Sequence, residues 1–313
     1  MNTKLTQTLG IDYPILQGAM AWISESGLAA SVSNAGGAGI IAAANRPPEW
    51  VRQEIRKTKN LTDKPFGVNV ILMDSHIDQI INVVCQENVA FVTIGAGNSV
   101  PFIGQLHRFG IKVIPVVPNV KLAKRVEAAG ADAIIIEGME GGGHIGTLTT
   151  MALLTNVIPE VKLPVIAAGG IVDGRGMAAA LVMGAAGVQM GSRFLLTEEC
   201  VLHPRVKERI LAANDTDSVV TGYLRGHAVR GIKNKFTIHY LDLESKGVSL
   251  KYLDQMATGT LKMAAVDGDI ENGSIQVGQS LTLLNRIQSV TEVIREIMDE
   301  AINILHAAPT LAT

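Results

Sequence analysis

Residues 132–146 read DAIIIEGMEGGGHIG. The stretch begins as an unbroken aliphatic run, Ala133 to Ile136, ends that run on Glu137, and then sets glycines around His144. A half-buried strand alternates apolar and polar residues. A run without alternation reads instead as a strand covered on both faces, as in parallel sheets packed between helices. The glycine-rich continuation cannot prolong a strand or a helix comfortably, so it reads as a loop at the strand's C-terminal end.

The same pattern repeats outward in both directions. PILQ (14–17), AGIIA (38–42), FGVNVI (66–71), AFVTIG (90–95), KVIPVV (112–117), PVIAAG (164–169) and GVQMG (187–191) complete a set of eight apolar runs. Their first residues are separated by 24, 28, 24, 22, 20, 32 and 23 positions, room each time for a strand, a helix and two loops. Helical periodicity fills the gaps at HIDQIINVVCQEN (76–88), NVKLAKRVEAAG (119–130) and RGMAAALVMG (175–184). Eight such units predict an α/β fold, a (β/α)8 TIM barrel. No GxGxxG fingerprint and no P-loop accompanies them.

Past Phe194 the period stops, and residues 197–275 become more polar. SVTEVIREIMDEAINILH (289–306) restores a clear amphipathic helix with a serine at its start. The expected organisation is therefore a barrel over 1–196 and 276–313, with a smaller lid domain over 197–275 inserted before the last outer helix. The terminal APTLAT reads as a frayed end.

Composition removes several function classes. Net charge is −2 and aromatics make up 4%, which argues against a nucleic-acid partner. The polar start MNTKLTQTLG lacks a signal-peptide core, and no run of about 20 apolar residues exists. A soluble, cytoplasmic protein with no membrane partner is expected. The two cysteines, Cys85 and Cys200, form no framework and no metal-site spacing, and Cys85 reads as packing. No metal site is expected from the residues.

Barrels place chemistry at the C-terminal ends of their strands, often with a phosphate held after strands seven and eight. Here those loops are AAGGIVDGRG (167–176) and MGSRF (190–194). Gly169, Gly170, Gly191 and Ser192 offer closely approachable backbone amides to a phosphate. Such a handle suits a cofactor lying across the mouth. Asn69, near the end of strand three, can hydrogen-bond a flat ring, and Gln17 and Gly18 can bring backbone close to it. Glu137 ends a buried run and is expected to be hydrogen-bonded or paired, because unpaired burial is expensive. Gly141, Gly142 and Gly143 permit close approach beside His144. Residues 201–240 hold seven Lys or Arg against three Asp or Glu, a formal +4, which reads either as a solvated face or as a receiver of acidic partners.

QGAM (17–20), NAGGAGIIA (34–42), KPFGVNV (64–70), EGMEGGGHIG (137–146), LPVIAAGGI (163–171) and GSRF (191–194) together resemble the nitronate monooxygenase-like flavoenzymes, FMN-binding TIM barrels with a small additional domain. GGHIGTLTTM (142–151), GHAVRGIKN (226–234) and GDIENGSIQVGQ (268–279) extend the likeness over nearly the whole chain, toward the FabK type of enoyl-acyl-carrier-protein reductase.

That resemblance implies FMN contacts at Gly18, Ala19, Met20, Asn69, Glu137, Gly142, Gly143, Gly169, Gly170, Gly191, Ser192 and Gln279. Ala19 and Val277 depart from the usual residues of their motifs. The resemblance further implies NADH or NADPH as reductant, an enoyl-acyl-carrier protein as partner, a homodimer and a monovalent cation. His144 is the implied catalytic residue, with His227 and Arg230 as weaker candidates. The alternative activity within the same family is FMN-dependent nitronate oxidation. A flavin-binding regulatory protein without turnover is a more distant third.

Overall fold

The structure, a computed structural model, describes residues 1–308, less the side chain of Arg225. Eight parallel strands form the barrel: β1 (Ile15–Gln17), β2 (Ile40–Ala42), β3 (Gly67–Ile71), β4 (Phe91–Gly95), β5 (Lys112–Val117), β6 (Ile134–Glu137), β8 (Val165–Ala168) and β9 (Gly187–Met190), β7 (Gly143–His144) being a short extra strand in the loop after β6. Around the barrel the order is β1-β9-β8-β6-β5-β4-β3-β2. Each of the eight expected runs is a strand in this sheet.

The closing seam between β1 and β2 is held by one bridge, Leu16 to Ala38. A side chain extends it. Gln17, fully buried, accepts the Ile40 amide on Oε1 at 3.0 Å and donates from Nε2 to Ser24 Oγ at 2.9 Å. Gln17 therefore works as a stitch in the barrel wall, where the sequence reading had its backbone approaching a ring.

Two hydrophobic layers result. Inside the barrel, Leu16, Ile40, Phe91, Ile114, Ile135 and Ile166 are completely buried; each contributes about 1.5–3 kcal/mol by burial. A Cβ on Gly67 would fall 2.4 Å from the Phe91 ring, so that position must be glycine for the phenyl group to fill the interior. The second layer lies between strands and outer helices.

The N-terminal helix Lys4–Leu9, not anticipated, sends Leu5 and Leu9 into the interior cluster. Thr3 and Thr6 form a capping box at its start. Cys85 is a buried free thiol, as expected of a packing residue, and Cys200 is buried and free as well.

The last helix, Val290–Ala307, is capped by Ser289 and packs against Gly174–Val182 and Ser26–Asn34, completing the outer ring. Gly174 permits that contact: a Cβ there would sit 2.6 Å from Ala301 N and Ile297 O. The frayed end expected beyond the helix falls on residues 309–313, outside the described ones.

Between β9 and the last helix lies an insertion. It includes β10 (Ser218–Thr221), β11 (Val229–Ile232) and the helices Pro204–Leu211, Lys235–Ser245, Leu250–Ala257 and Thr260–Ala265. Its antiparallel sheet runs β10-β11-β7, so the insertion recruits a piece of the loop after β6 as its third strand. No helix among the described residues is long and apolar enough to cross a membrane.

Three non-glycine residues at positive φ follow barrel strands: Trp22 (69°), Asn45 (59°) and Ala96 (53°). Such conformations cost roughly 1–3 kcal/mol each and persist where the surroundings impose them. All three lie at the C-terminal rim.

Candidate functional site at the barrel rim

Asn69, Thr93, Glu137, Ala168 and Gln189 lie on the interior side toward the C-terminal ends of their strands. Asn69 stands in register with Thr93, and Glu137 with Ala168, which pairs in turn with Gln189. Asn69 Nδ2 donates to Thr93 Oγ1 at 2.9 Å, which orients the amide. Its Oδ1 has no partner among the described residues and remains an open acceptor on the rim.

Beside them, Gly169 and Gly170 adopt φ of 99° and 72°. A Cβ on Gly169 would meet Gly138 O at 2.8 Å, so this loop is pressed against the loop after β6. Among the described residues, the amides of Gly170, Ile171, Gly191 and Ser192 donate to no protein acceptor. Four free N–H groups on adjacent loops are the donor set that a phosphate requires. Gly191 has an ordinary φ of −100°, and a Cβ there would find only Met20 Sδ, at 3.9 Å. The loop after β1, with Gly18, Ala19 and Met20, thus borders this cradle.

Ser192 contributes differently from its expected backbone role alone, since its hydroxyl accepts the Gly278 amide at 2.9 Å. The segment 277–280 crosses the rim and is bonded at several points. Gln279 N donates to Glu140 O at 2.9 Å, and Ser280 Oγ donates to Gly170 O at 2.7 Å. Gly142 allows the crossing, for a Cβ there would stand 2.7 Å from the Val277 backbone. The side chain of Gln279 is exposed.

Glu137 departs from expectation. Its carboxyl has no hydrogen-bond or ion-pair partner among the described residues, and burial pushes its pKa up to about 7. The reason lies three residues on. Glu140 takes the local donors, receiving Thr150 N on both oxygens at 3.0 Å and Thr150 Oγ1 on Oε2 at 3.0 Å. One carboxylate is satisfied as a loop tie. The other faces the mouth as a half-buried acid that holds its proton near neutrality.

His144 is carried on β7, where the sequence suggested only a loop. Its strand pairs antiparallel with β11, His144 opposite Val229 and Gly143 opposite Arg230. Ile145 N donates to Ala228 O at 3.0 Å. The ring is exposed at the surface, yet enough protein surrounds it that desolvation lowers its pKa, with the nearby His227 adding to the effect.

Arg230 is 4% exposed. It donates from Nε to Met139 O and from one terminal nitrogen to Ser218 Oγ, both at 2.9 Å. It is a brace between the inserted sheet and the His144 loop. His227 Nδ1 lies 3.9 Å from Asp254 Oδ1, both side chains being exposed, so that contact is weak.

Part of the basic excess of residues 201–240 is used within the fold, while Arg205, Lys233 and Lys235 stay exposed. Lys207 and Arg230 are buried, Arg209 pairs with Asp217 at 3.3 Å, and Lys235 approaches Glu271 at 3.5 Å. Thr93, Thr150, Ser280 and Gln189 are rim residues that sequence reasoning missed. Each is a single polar residue without motif spacing, and only the register of neighbouring strands or a distant crossing places it.

A (β/α)8 barrel with an anion cradle after its last two strands, and a histidine strand across the mouth, defines a class of cofactor-dependent barrel enzyme. The family model described as nitronate monooxygenase matches residues 2–80 and 71–300. The chain belongs to the nitronate monooxygenase family. It is 45% identical to FabK from Thermotoga maritima, with 99% of each chain covered and a TM-score of 0.96. It is 35% identical to the (3aS,4S,5R,7aS)-5-hydroxy-7a-methyl-1-oxo-octahydro-1H-indene-4-carboxyl-CoA dehydrogenase of Rhodococcus jostii, again over 99% of each chain. The nitroalkane oxidase of Streptomyces ansochromogenes is 28% identical, with 98% of this chain and 100% of that one covered and a TM-score of 0.86.

Proposed function

We propose that the protein is an FMN-dependent enoyl-acyl-carrier-protein reductase that takes its electrons from NADH or NADPH and serves fatty-acid elongation. The observation that carries this reading is the likeness to FabK, which spans barrel, insertion and histidine strand alike. The rim residues fit FMN: the free amides of Gly170, Ile171, Gly191 and Ser192 would hold the phosphate, and the open Asn69 Oδ1 would accept from the ring. Glu137, largely protonated below neutrality, can donate to a sugar-alcohol hydroxyl or accept from it. Gly18, Ala19 and Met20 would border the ring.

Bound FMN supplies the two-electron relay between the nicotinamide and C3 of a trans-2-enoyl thioester. As negative charge grows on the thioester oxygen, a hydrogen bond from the His144 imidazole strengthens and lowers the barrier. In its protonated form the same imidazole can give C2 the proton it must receive, becoming neutral imidazole. The lowered pKa of His144 makes its protonated form a stronger acid, though a scarcer one at neutral pH. Gly142 and Gly143 let the segment approach the mouth closely, and Arg230 and β11 hold it there. The insertion covers substrate, nicotinamide or both. The acyl-carrier partner rests on the likeness to FabK, since part of the basic excess is consumed internally.

Nitronate oxidation is the second reading, favoured by the family model. Anaerobic mixing separates the two. Rapid flavin reduction by NADH, then reoxidation by crotonyl thioester, is the expected result. Negligible reduction by NADH together with fast oxygen-dependent nitronate turnover would reject the reductase.

A further inference from the structure

The chain's two tryptophans, Trp22 and Trp50, converge on one side chain. The guanidinium carbon of Arg46 lies 4.2 Å from the centroid of the Trp22 ring and 4.1 Å from that of Trp50. A terminal nitrogen of Arg46 also meets Glu25 Oε1 at 2.8 Å. Its Nε is buried without a hydrogen-bond partner, so the geometry favours stacking over complete hydrogen bonding. Trp22 belongs to the loop after β1, Arg46 to the loop after β2, and Trp50 to the outer helix Pro48–Leu61. The cluster thus joins three elements at one sector of the rim. The inserted helix Thr260–Ala265 reaches it too, with Lys262 Nζ 5.2 Å from the Trp22 centroid.

Two further observations give the cluster a purpose. Trp22 and Asn45, the residue before Arg46, both stand at positive φ, 69° and 59°. A tryptophan does not adopt that conformation unaided, so its surroundings must hold it: the ring packs against the core, Lys262 lies 5.2 Å from its centroid, and the Arg46 guanidinium stacks closest, at 4.2 Å. The held loop is short and stiff: Met20 N donates to Ser24 Oγ at 2.9 Å, and Ser24 N returns to Met20 O at 2.9 Å. Moving Trp22 therefore moves Met20 and its neighbours Gly18 and Ala19.

We propose that Arg46, stacked on Trp22 and Trp50, is a positioning residue that clamps the loop after β1 in a strained form and so sets Gly18, Ala19 and Met20 against the flavin. This rests on the reading that FMN occupies the rim. Arg46 itself lies behind Trp22 and serves neither as a cofactor ligand nor as a substrate ligand. It acts through Trp22.

The test measures FMN affinity of flavin-stripped protein by equilibrium ultrafiltration, alongside the melting temperature of the same flavin-free samples. Arg46→Gln should raise the FMN dissociation constant about ten-fold. Arg46→Lys, which keeps the cation, should recover part of that loss. The melting temperature reports stability alone and should not track the rescue. Trp50→Leu removes one face of the stack from outside the flavin-side loop and should weaken FMN in the same direction, so the proposal does not depend on one variant folding. Wild-type affinity in folded Arg46→Gln or folded Trp50→Leu would overturn the clamp while leaving the flavin reading intact. Failure of the wild-type protein to bind FMN at all would remove the flavin reading and the clamp with it.

Discussion

The loops after β8 and β9 and the loop after β6 share one rim but are built by opposite means. The first pair draws its donors from local backbone, Gly169 and Gly170 at positive φ and four free amides, with Ser280 and Gly278 only tying its outer side. The loop after β6 is shaped from a distance. Arg230 holds Met139 O, β11 pairs with β7, and residues 277–279 cross above Gly142. Gripping an anion and presenting a histidine are therefore separable tasks, and substitutions should divide between them.

The largest effect should come from His144→Ala. Flavin binding and reduction by NADH should persist, because the anion cradle is elsewhere. Reoxidation by enoyl thioester should slow about 10²–10⁴-fold, the range for loss of a positioned acid. Anaerobic stopped-flow absorbance follows the two half-reactions separately, and loss of FMN from this variant would break the comparison. The pH profile sharpens it. If protonated imidazole is the donor, wild-type reoxidation should quicken as pH falls below the ordinary histidine range, because the pKa is lowered. If neutral N–H only hydrogen-bonds, the rate should stay flat.

Gly191→Val should do the converse, leaving chemistry in any loaded enzyme but weakening FMN by about 10–100-fold, the worth of a hydrogen bond to a charged group. Gly191 is the better probe of the cradle, since its φ of −100° suits valine and the nearest atom to a Cβ is 3.9 Å away. Gly170, at φ 72°, would confound flavin loss with backbone strain. Unchanged flavin affinity in folded Gly191→Val would remove the cradle assignment.

Arg230→Met should fall on the histidine side of the division. It leaves Met139 O without its donor, a cost of about 1–3 kcal/mol in stability. Enoyl-dependent reoxidation should slow while FMN affinity holds. An FMN defect equal to the kinetic one would show that the two loops are not separable.

The smallest effect concerns Glu137→Gln in flavin-free protein. The folded pKa, about 7, lies above the unfolded carboxyl value. The stability tied to its protonated form is fully present below about pH 4.3 and is lost as pH rises through the folded pKa. Wild type should therefore lose on the order of 1–2 kcal/mol between pH 4.5 and 8, after allowance for partial exposure. The glutamine variant should be the more stable at pH 8, and calorimetry at both ends of that range checks the sign.

The barrel was legible because its strands are buried on both faces, so apolar runs such as KVIPVV coincide with strand β5 residue for residue. The rim position of Gly170 and Gly191 followed from the same count, since each stands just past a strand end, and His144 lies in the long loop that follows β6. What was not legible depends on contact across long separations. KLTQTL reads as polar because two leucines in one turn and a half set no period, and only the barrel floor explains them. The strand at Gly143–His144 exists through its pairing with β11. The lone state of Glu137 follows from Glu140 taking Thr150, a choice between two carboxylates that spacing does not decide. The basic excess over 201–240 is only partly a surface feature, since Lys207 and Arg230 are buried and Arg209 pairs with Asp217, which composition cannot foresee because it counts charges without their partners.

Trp22 and Trp50 are the chain's only tryptophans, and both rest on Arg46 at the rim. All indole emission from this protein therefore arises beside the barrel mouth and none from its core. Flavins absorb where indoles emit. Under excitation selective for indole, resonance energy transfer should dim that emission in step with flavin loading, so the unlabelled chain carries its own optical gauge of cofactor occupancy.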